Sequence, residues 1–173
     1  YSAPMSDRLR PVLLALALPL AVGGAAAEPA PQAVCGLEGF QASVLQAINQ
    51  ARAMPRACGQ RRMAAMPPLI WNGRLFNAAR AHADDMARHD YFSHTGRNGR
   101  NVAERVSDTG YAWSAVGENI AAGPDSVDAV MAGWLSSPGH CVNLMRPDFR
   151  EVGVGCVQHG GNAWGRYWAM VLG

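Results

Sequence analysis

Three blocks far apart along this sequence each contain a residue that can bind a metal or move a proton. His94 ends the block Tyr-Phe-Ser-His, Glu118 lies within Gly-Glu-Asn-Ile, and His140 ends Trp-Leu-Ser-Ser-Pro-Gly-His. The three residues are separated by 24 and 22 positions. Neighbours on one helix face are only three or four residues apart, so local geometry cannot join these blocks. Only a tertiary fold that brings three segments together gives this chain a common site.

Two imidazoles and one carboxylate are ordinary ligands of Zn²⁺, and a catalytic zinc is usually held by three protein ligands with a fourth position open. The sequence therefore predicts a divalent metal, Zn²⁺ first, on His94, His140 and Glu118. Glu118 is alternatively a general base beside a metal-bound water. The alternatives without a chemical role are that His94 forms a loop or helix-cap contact and that Glu118 is a turn residue.

The first 27 residues are typical of an export signal. Arg8 and Arg10 follow Met5 and precede the apolar run 12–22, after which comes Ala25-Ala26-Ala27. We predict cleavage near Ala27 and secretion across the inner membrane, to the periplasm or the extracellular space. The apolar run is about half of the ~20 residues that span a bilayer, so we expect no stable transmembrane anchor.

Without residues 1–27 the chain keeps 146 residues, the size of one domain. We divide it into a short segment, 28–37, and a single domain, 38–173. The arginines are scattered and form no basic stripe, which argues against a nucleic-acid partner. No lysine occurs anywhere in the sequence, which excludes Schiff-base and lysine general-base chemistry.

Four cysteines in an exported chain predict two disulfides, for which three pairings exist. We favour Cys35 with Cys58, across the first helix, and Cys141 with Cys156, which would join the segment after His140 to a late strand. A cysteine metal site and thiol catalysis by Cys141 beside His140 are the competing interpretations.

Apolar spacing and breakers predict four helices, followed or interleaved by strands. The helices are expected over 38–53, from Asn72 to about His89, over 101–107, and from Pro124-Asp125 to Ser136. Residues 113–122 are expected to be a strand or extended loop, and residues 151–158 and 166–172 a hairpin. Together these elements predict an α+β fold with helices packed on a small, mainly antiparallel sheet.

The order of the blocks resembles the CAP superfamily of cysteine-rich secretory, antigen-five and pathogenesis-related proteins, in its short bacterial SCP-like form. The resemblance runs from about residue 40 to 171 and includes the segments 48–52, 69–72, 81–87 and 151–155. It implies an α-β-α sandwich with a central cleft of two histidines and two acidic residues, sometimes holding a divalent metal.

Transferred position by position, the resemblance assigns His94, Glu118 and His140 to that cleft. The fourth position departs from the pattern, because Ser137 stands three residues after Trp134, where eukaryotic members commonly have an acid. A hydroxyl there removes one anionic ligand, so we expect weak metal affinity. Around the cleft we expect contacts from Asn119 and from His82, which is first of all a structural histidine.

The resemblance favours an extracytoplasmic binding or effector module, with an unknown protein or lipid as its ligand, and a monomer. A metal-dependent, peptidase-like hydrolase that uses the same cleft is the main alternative, and a lipid- or sterol-binding protein is another. The sequence lacks the two-histidine helix of metalloproteases and the Gly-x-Ser-x-Gly elbow of hydrolases. We therefore rank the binding module above the enzyme.

Overall fold

A computed structural model describes residues 34–173, which belong to one compact unit. The predicted signal peptide, its cleavage near Ala27 and residues 28–33 lie outside the described residues. The elements in chain order are α1 Phe40–Arg52, β1 Arg56–Cys58, β2 Arg61–Met63, β3 Ile70–Trp71, α2 Gly73–His89, α3 Val102–Asp108, β4 Gly117–Ala122, α4 Val127–Ser136, α5 Pro138–Leu144, β5 Glu151–Gln158 and β6 Arg166–Leu172. Among residues 34–173, no helix is both long and apolar enough to cross a bilayer.

The main sheet has four strands in the order β3-β5-β6-β4. β6 lies in the centre and pairs antiparallel with both β5 and β4, whereas the short edge strand β3 runs parallel to β5. Because β4 lies on the opposite edge from β3, the segment that carries Glu118 has helices and loops, not another strand, along its outer side. The expectation of a small, mainly antiparallel sheet is confirmed.

Alternate residues of β6 separate two hydrophobic cores, as the pleat of a strand requires. Trp168, Met170 and Leu172 join the core formed with α1, α4 and α5. The intervening residues of β6 join the core formed with α2 and α3. Helices therefore cover both faces of the sheet, and the predicted α-β-α sandwich is confirmed.

Helix α2 packs unusually close to strand β5. A Cβ atom added at Gly153 would collide with the backbone of Phe76, and one added at Gly155 would collide with the backbone of Arg80. The two glycines let the helix backbone lie directly on the strand, since a side chain at either position would push the layers apart. This contact fixes the position of α2, which carries His82 and leads into the loop of His94.

The predicted helix boundaries agree with the structure where capping residues are present. Asn72 accepts hydrogen bonds from the backbone N–H groups of Arg74 and Leu75, and α2 ends at His89, with Asp90 in a left-handed conformation beyond it. Helix α3 begins with a capping box between Asn101 and Glu104.

Three parts of the fold differ from the prediction. Ser126, rather than Pro124-Asp125, caps α4. Residues 138–139 do not simply end that helix, because Pro138 stands at the first position of α5, where its missing N–H is harmless. The β1–β2 hairpin and strand β3 were not expected, because their strands have two or three residues and no clear apolar alternation.

The predicted cysteine pairing is wrong, although the expectation of two disulfides is confirmed. Cys35 is bonded to Cys156, with a Cα–Cα distance of 5.5 Å, and Cys58 to Cys141, at 5.4 Å. The unexpected β1–β2 hairpin places Cys58 beside α5, and the segment before α1 lies against β5. Cys35–Cys58 and Cys141–Cys156 are therefore both excluded. Since none of the four cysteines is free, the metal-thiolate and thiol-nucleophile interpretations are also wrong.

Candidate functional site

Glu118 is the buried centre of the site. It lies in β4 opposite Val171 of β6, and only 2% of its side chain is exposed. Its Oε1 atom lies 2.8 Å from His94 Nδ1, and its Oε2 atom accepts a hydrogen bond of 2.6 Å from Arg105 Nη2. Both carboxylate oxygens therefore have a nitrogen partner, and the charge of Glu118 is matched by a guanidinium that is itself largely buried.

The contact with Glu118 determines which nitrogen of the His94 ring carries the proton. A carboxylate accepts hydrogen bonds, so Nδ1 of His94 must carry the proton that faces it. In the neutral ring Nε2 then holds the free lone pair, and more than half of the side chain is exposed. The pair is the carboxylate–imidazole arrangement that fixes the tautomer and the orientation of the ring.

Arg105 connects Glu118 to the loop that carries His94. Its Nη1 atom donates hydrogen bonds to the backbone carbonyls of His94, at 3.0 Å, and Arg100, at 2.8 Å, while Nη2 binds Glu118. The fork geometry of a guanidinium allows one side chain to serve all three acceptors. The loop between α2 and α3 is thus held at two points, His94 and Arg100, by the same residue that neutralises Glu118.

Two asparagines position His140 against strand β4. Asn119 donates from Nδ2 to the carbonyl oxygen of His140 at 3.0 Å. Asn143, one turn further along α5, donates to the carbonyl of Glu118 and to Oδ1 of Asn119. These bonds attach the start of α5 to the strand, so His140 is placed by both elements.

The imidazole of His140 lies close enough to that of His94 for the second ring to affect the pKa of the first. Burial lowers the pKa of His140, and the nearby imidazole of His94 lowers it further. Two adjacent imidazoles cannot both take up a proton easily, because the resulting charges would repel each other. At neutral pH the cleft therefore presents His140 as an uncharged ring.

His82 lies underneath the loop of His94. The side chain is buried, and Nε2 lies 2.9 Å from the carbonyl oxygen of Ser93, to which it must donate. Burial lowers the pKa of His82, while the negative charge of Glu118 acts in the opposite direction. The residue supports the segment next to His94 through this contact, and its predicted structural and cleft roles stay predictions.

Ser137 stands at the N-cap of α5, but its side chain makes no capping hydrogen bond.

The side chains present do not fit a three-ligand metal site in this arrangement. Within residues 34–173, no group of three His, Cys, Asp or Glu side chains is placed to hold a metal ion. Both oxygens of Glu118 face His94 and Arg105, which leaves two imidazoles as available donors. A catalytic zinc requires three protein ligands, so we derive no reaction step from a metal. The predicted metal on His94, His140 and Glu118 stays a prediction.

Sequence reasoning missed Arg105 and Asn143. Arg105 is one of many scattered arginines, and its sequence neighbourhood contains no signal that it would reach Glu118. Asn143 had a usable signal, because it stands one helical turn after His140 and thus shares a helix face with it.

The fold and the cleft define a three-layer α-β-α domain in which a buried Glu–Arg pair supports one histidine, His94, and two asparagines position a second, His140. The sequence model of the cysteine-rich secretory protein family, CAP, matches residues 45–172. The chain belongs to this family.

Two curated relatives are similar to this chain over only part of their length. The uncharacterized protein YkwD of Bacillus subtilis is 32% identical over 101 residues, which cover 58% of this chain and 39% of YkwD. The uncharacterized membrane protein YlbC of the same species is 32% identical over 87 residues, which cover 50% of this chain and 25% of YlbC. The chain thus spans well under half the length of these relatives.

Solved structures share the fold. An extracellular SCP-domain protein of Bacillus anthracis is 29% identical with a TM-score of 0.54, over 62% of this chain and 34% of that chain. An outer surface protein of Borrelia burgdorferi is 16% identical with a TM-score of 0.61, over 78% of this chain and 88% of that chain. The second likeness is one of fold alone.

Proposed function

We propose that this chain is an extracytoplasmic binding or effector module, and that it binds a polar segment of a partner protein at His94 and His140. The supporting observation is the engagement of both oxygens of Glu118. A carboxylate already paired with an imidazole and a guanidinium is a positioning group, not a free general base. With all four cysteines in disulfides, the described cleft also lacks a thiol nucleophile.

Export is part of the proposal. Two disulfides form and persist in oxidising compartments, and residues 1–27 have the sequence pattern of a secretory signal. The likeness to an extracellular SCP-domain protein of Bacillus anthracis agrees with it. The periplasm and the extracellular space are both compatible with these observations.

A polar peptide suits the exposed part of the cleft. His94 offers the lone pair of Nε2 to a donor, and its side chain is 58% exposed. Two residues earlier, Phe92 contacts Trp164 with ring centroids 6.1 Å apart, and both rings are partly exposed. Aromatic rings beside polar groups are common in protein interfaces, where they supply apolar contact area at low entropic cost. A lipid would instead require a long apolar groove at the histidines.

Imidazole NMR with a tryptic digest of casein as the peptide probe tests this function. Peptide binding is expected to shift the ring resonances of His94 and His140 and to leave those of His159, an exposed histidine outside the site, unchanged. Mass spectrometry of the same sample is expected to recover every peptide intact. Resonances of His94 and His140 that stay unmoved up to saturating peptide would contradict the proposal.

A hydrolase is the second candidate, and the Glu118–His94 pair favours it because such a pair can make an imidazole a general base. Cleavage of the casein peptides by the wild-type chain, lost in Glu118→Gln while the fold persists, would establish this alternative. A chelator arm then asks whether the activity needs a divalent metal such as Zn²⁺. Loss of activity on chelation, with recovery on adding Zn²⁺, identifies a metal-dependent enzyme.

A further inference from the structure

Two aromatic side chains from distant parts of the chain meet at the surface next to the segment of His94. Phe92 follows α2, and Trp164 lies in the loop that joins β5 to β6. Their ring centroids are 6.1 Å apart, and the two residues are 45% and 44% exposed. One exposed apolar residue is ordinary, but two aromatic rings in contact form a shared apolar surface. We call these two residues the aromatic pair.

The loop that carries Trp164 is attached to the C-terminal end of α2. Asn162 donates from Nδ2 to a backbone carbonyl in the last turn of that helix. The backbone N–H of Ala163 donates to Asp90 Oδ1 at 3.2 Å, and the hydroxyl of Tyr167 donates to the same oxygen at 2.6 Å. Because the loop is already held by these bonds, a partner that contacts Trp164 does not have to order it on binding.

Two neighbouring rings orient the indole of Trp164. Phe92 packs against it at an interplanar angle of 52°, and Tyr167 packs edge-on, at 86° and 5.9 Å between ring centroids. Tyr167 is fully buried, so its ring is a fixed support. The face of an aromatic ring carries the negative part of its quadrupole, and Trp is the strongest of the three rings in this respect. The exposed part of the indole therefore attracts a cation.

Asp90 adds a negative charge beside the same ring. Its Oδ1 atom bonds to the residue before Trp164 and to Tyr167, which contacts Trp164 directly. Within residues 34–173, Asp90 forms no ion pair and its Oδ2 atom accepts no hydrogen bond. The arginines nearest in sequence, Arg88 and Arg166, bond to other groups. The surface thus combines an open aromatic ring with a carboxylate that lacks a counter-ion.

We propose that the aromatic pair and Asp90 bind an arginine side chain of the partner segment. This inference rests on the proposed function and names one side chain that the partner carries. A guanidinium is planar, so it stacks on an aromatic face while its N–H groups bond to a carboxylate. A lysine ammonium supplies the charge but cannot lie flat on the indole, and a neutral side chain leaves Asp90 without a counter-ion.

The blocked tripeptide Ac-Gly-Arg-Gly-NH₂ tests this inference on the oxidised protein, because the guanidinium is its only charge. In the comparison peptide, citrulline replaces arginine, which keeps the shape of the side chain and removes the charge. Calorimetry measures the affinity, and we expect the arginine peptide to bind with a dissociation constant on the order of 1 mM. The citrulline peptide is expected to bind at least about fivefold more weakly.

NMR of the indole N–H groups locates the bound peptide in the wild-type protein. The arginine peptide is expected to shift the resonance of Trp164 at the concentrations that give the calorimetric signal. The resonance of Trp113, which is 42% exposed on a different loop, is expected to stay unchanged. A calorimetric signal without a shift at Trp164 contradicts the placement of the arginine at the aromatic pair.

Two pairs of variants separate the ring from the charge. Trp164→Leu keeps an apolar side chain without the indole face and is expected to weaken binding of the arginine peptide about fivefold, whereas Trp113→Leu leaves it unchanged. Asp90→Asn keeps an acceptor for the loop amide and the tyrosine hydroxyl but removes the charge, and is expected to weaken binding about threefold. Asp128→Asn removes the same charge from an exposed position of α4 and is expected to bind like wild type.

Equal affinities of the arginine and citrulline peptides overturn the inference. A lysine peptide that binds as tightly as the arginine peptide also overturns it, because a stacked guanidinium is then not what the surface recognises. Casein peptides that shift His94 and His140, with no shift of Trp164 by the arginine peptide, refute this inference and leave the proposed function standing. Arginine binding at Trp164, with His94 and His140 unmoved by casein peptides, refutes the proposed function instead.

Discussion

Glu118 Oε1 lies 2.8 Å from His94 Nδ1, and this contact joins a side chain that is 2% exposed to one that is 58% exposed. The buried carboxylate therefore controls the orientation of a ring at the surface. Arg105 completes the arrangement from the other side of the carboxylate. Replacing Glu118 by glutamine removes the charge at the centre of this network and keeps the shape of the side chain.

Glu118→Gln is expected to lower the free energy of unfolding by about 3 kcal/mol, because the buried Arg105 guanidinium loses its counter-ion. Urea unfolding followed by circular dichroism measures the change. Glu38→Gln, at an exposed position before α1, is the matched control and is expected to stay within about 0.5 kcal/mol of wild type. Equal stabilities of the two variants would show that the Glu118–Arg105 pair is not a stabilising contact.

Arg105→Lys is expected to loosen the loop between α2 and α3 while keeping the positive charge. A lysine ammonium lacks the planar fork that reaches Glu118 and the carbonyls of His94 and Arg100 together. Hydrogen exchange is the direct measurement, because the Gly96 amide donates to the Arg100 carbonyl and should exchange faster in the variant.

Arg74→Lys is the control for this loop experiment. Arg74 also donates to a backbone carbonyl, that of Gly110, but from an exposed position at the start of α2. Its replacement should leave the exchange of Gly96 unchanged. If both variants exchange alike at Gly96, the loop is held by something other than Arg105.

Stability is expected to fall as the pH is lowered from about 6.5, the ordinary pKa of histidine. Burial lowers the pKa of His82 and of His140 in the folded chain, so the unfolded chain binds more protons below that pH. The free energy of unfolding therefore decreases toward the lowered folded pKa values and is fully retained above about pH 7. The pKa of Asp85 is lowered as well, and its contribution is lost only below about pH 4.

Thermal unfolding at pH 7.5, 6.5 and 5.5 measures this dependence. His82→Gln should flatten the profile, because it removes one of the two groups that resist protonation. His159→Gln, at an exposed position, should keep the wild-type slope. A wild-type melting temperature that is equal at the three pH values would refute the assignment of buried, neutral imidazoles.

The sequence predicted those parts of the fold that carry local signals. The Asn72 cap and the apolar face of α2 fixed that helix, and the alternation in β5 and β6 fixed the hairpin. His94, Glu118 and His140 were grouped only through resemblance to a family, since no local pattern relates positions 24 and 22 residues apart.

The contacts that complete the site are tertiary, and the local spacing of residues in the sequence does not predict them. Arg105 contacts Glu118, 13 residues further along the chain, because α3 lies next to β4. No sequence pattern near either residue predicts this contact. The cysteine pairing failed for a related reason. Three-residue strands such as β1 have too few positions to show alternation, and their hairpin decides where Cys58 lies.

The disulfide between Cys58 and Cys141 is expected to matter for the cleft as well as for stability, because Cys141 directly follows His140. The bond closes a loop of 83 residues, and replacing both cysteines by alanine should lower the free energy of unfolding by about 4 kcal/mol. The start of α5 loses its attachment to β1, so the imidazole resonances of His140 should broaden or shift in this variant. Replacing Cys35 and Cys156 removes a link of similar type between the N-terminal segment and β5, and neither of these cysteines adjoins His140. That control should lose comparable stability and keep the wild-type resonances of His140.

Peptide mapping under non-reducing conditions checks the disulfide pairing on which this prediction depends. Recovery of a Cys35–Cys58 peptide would contradict that pairing.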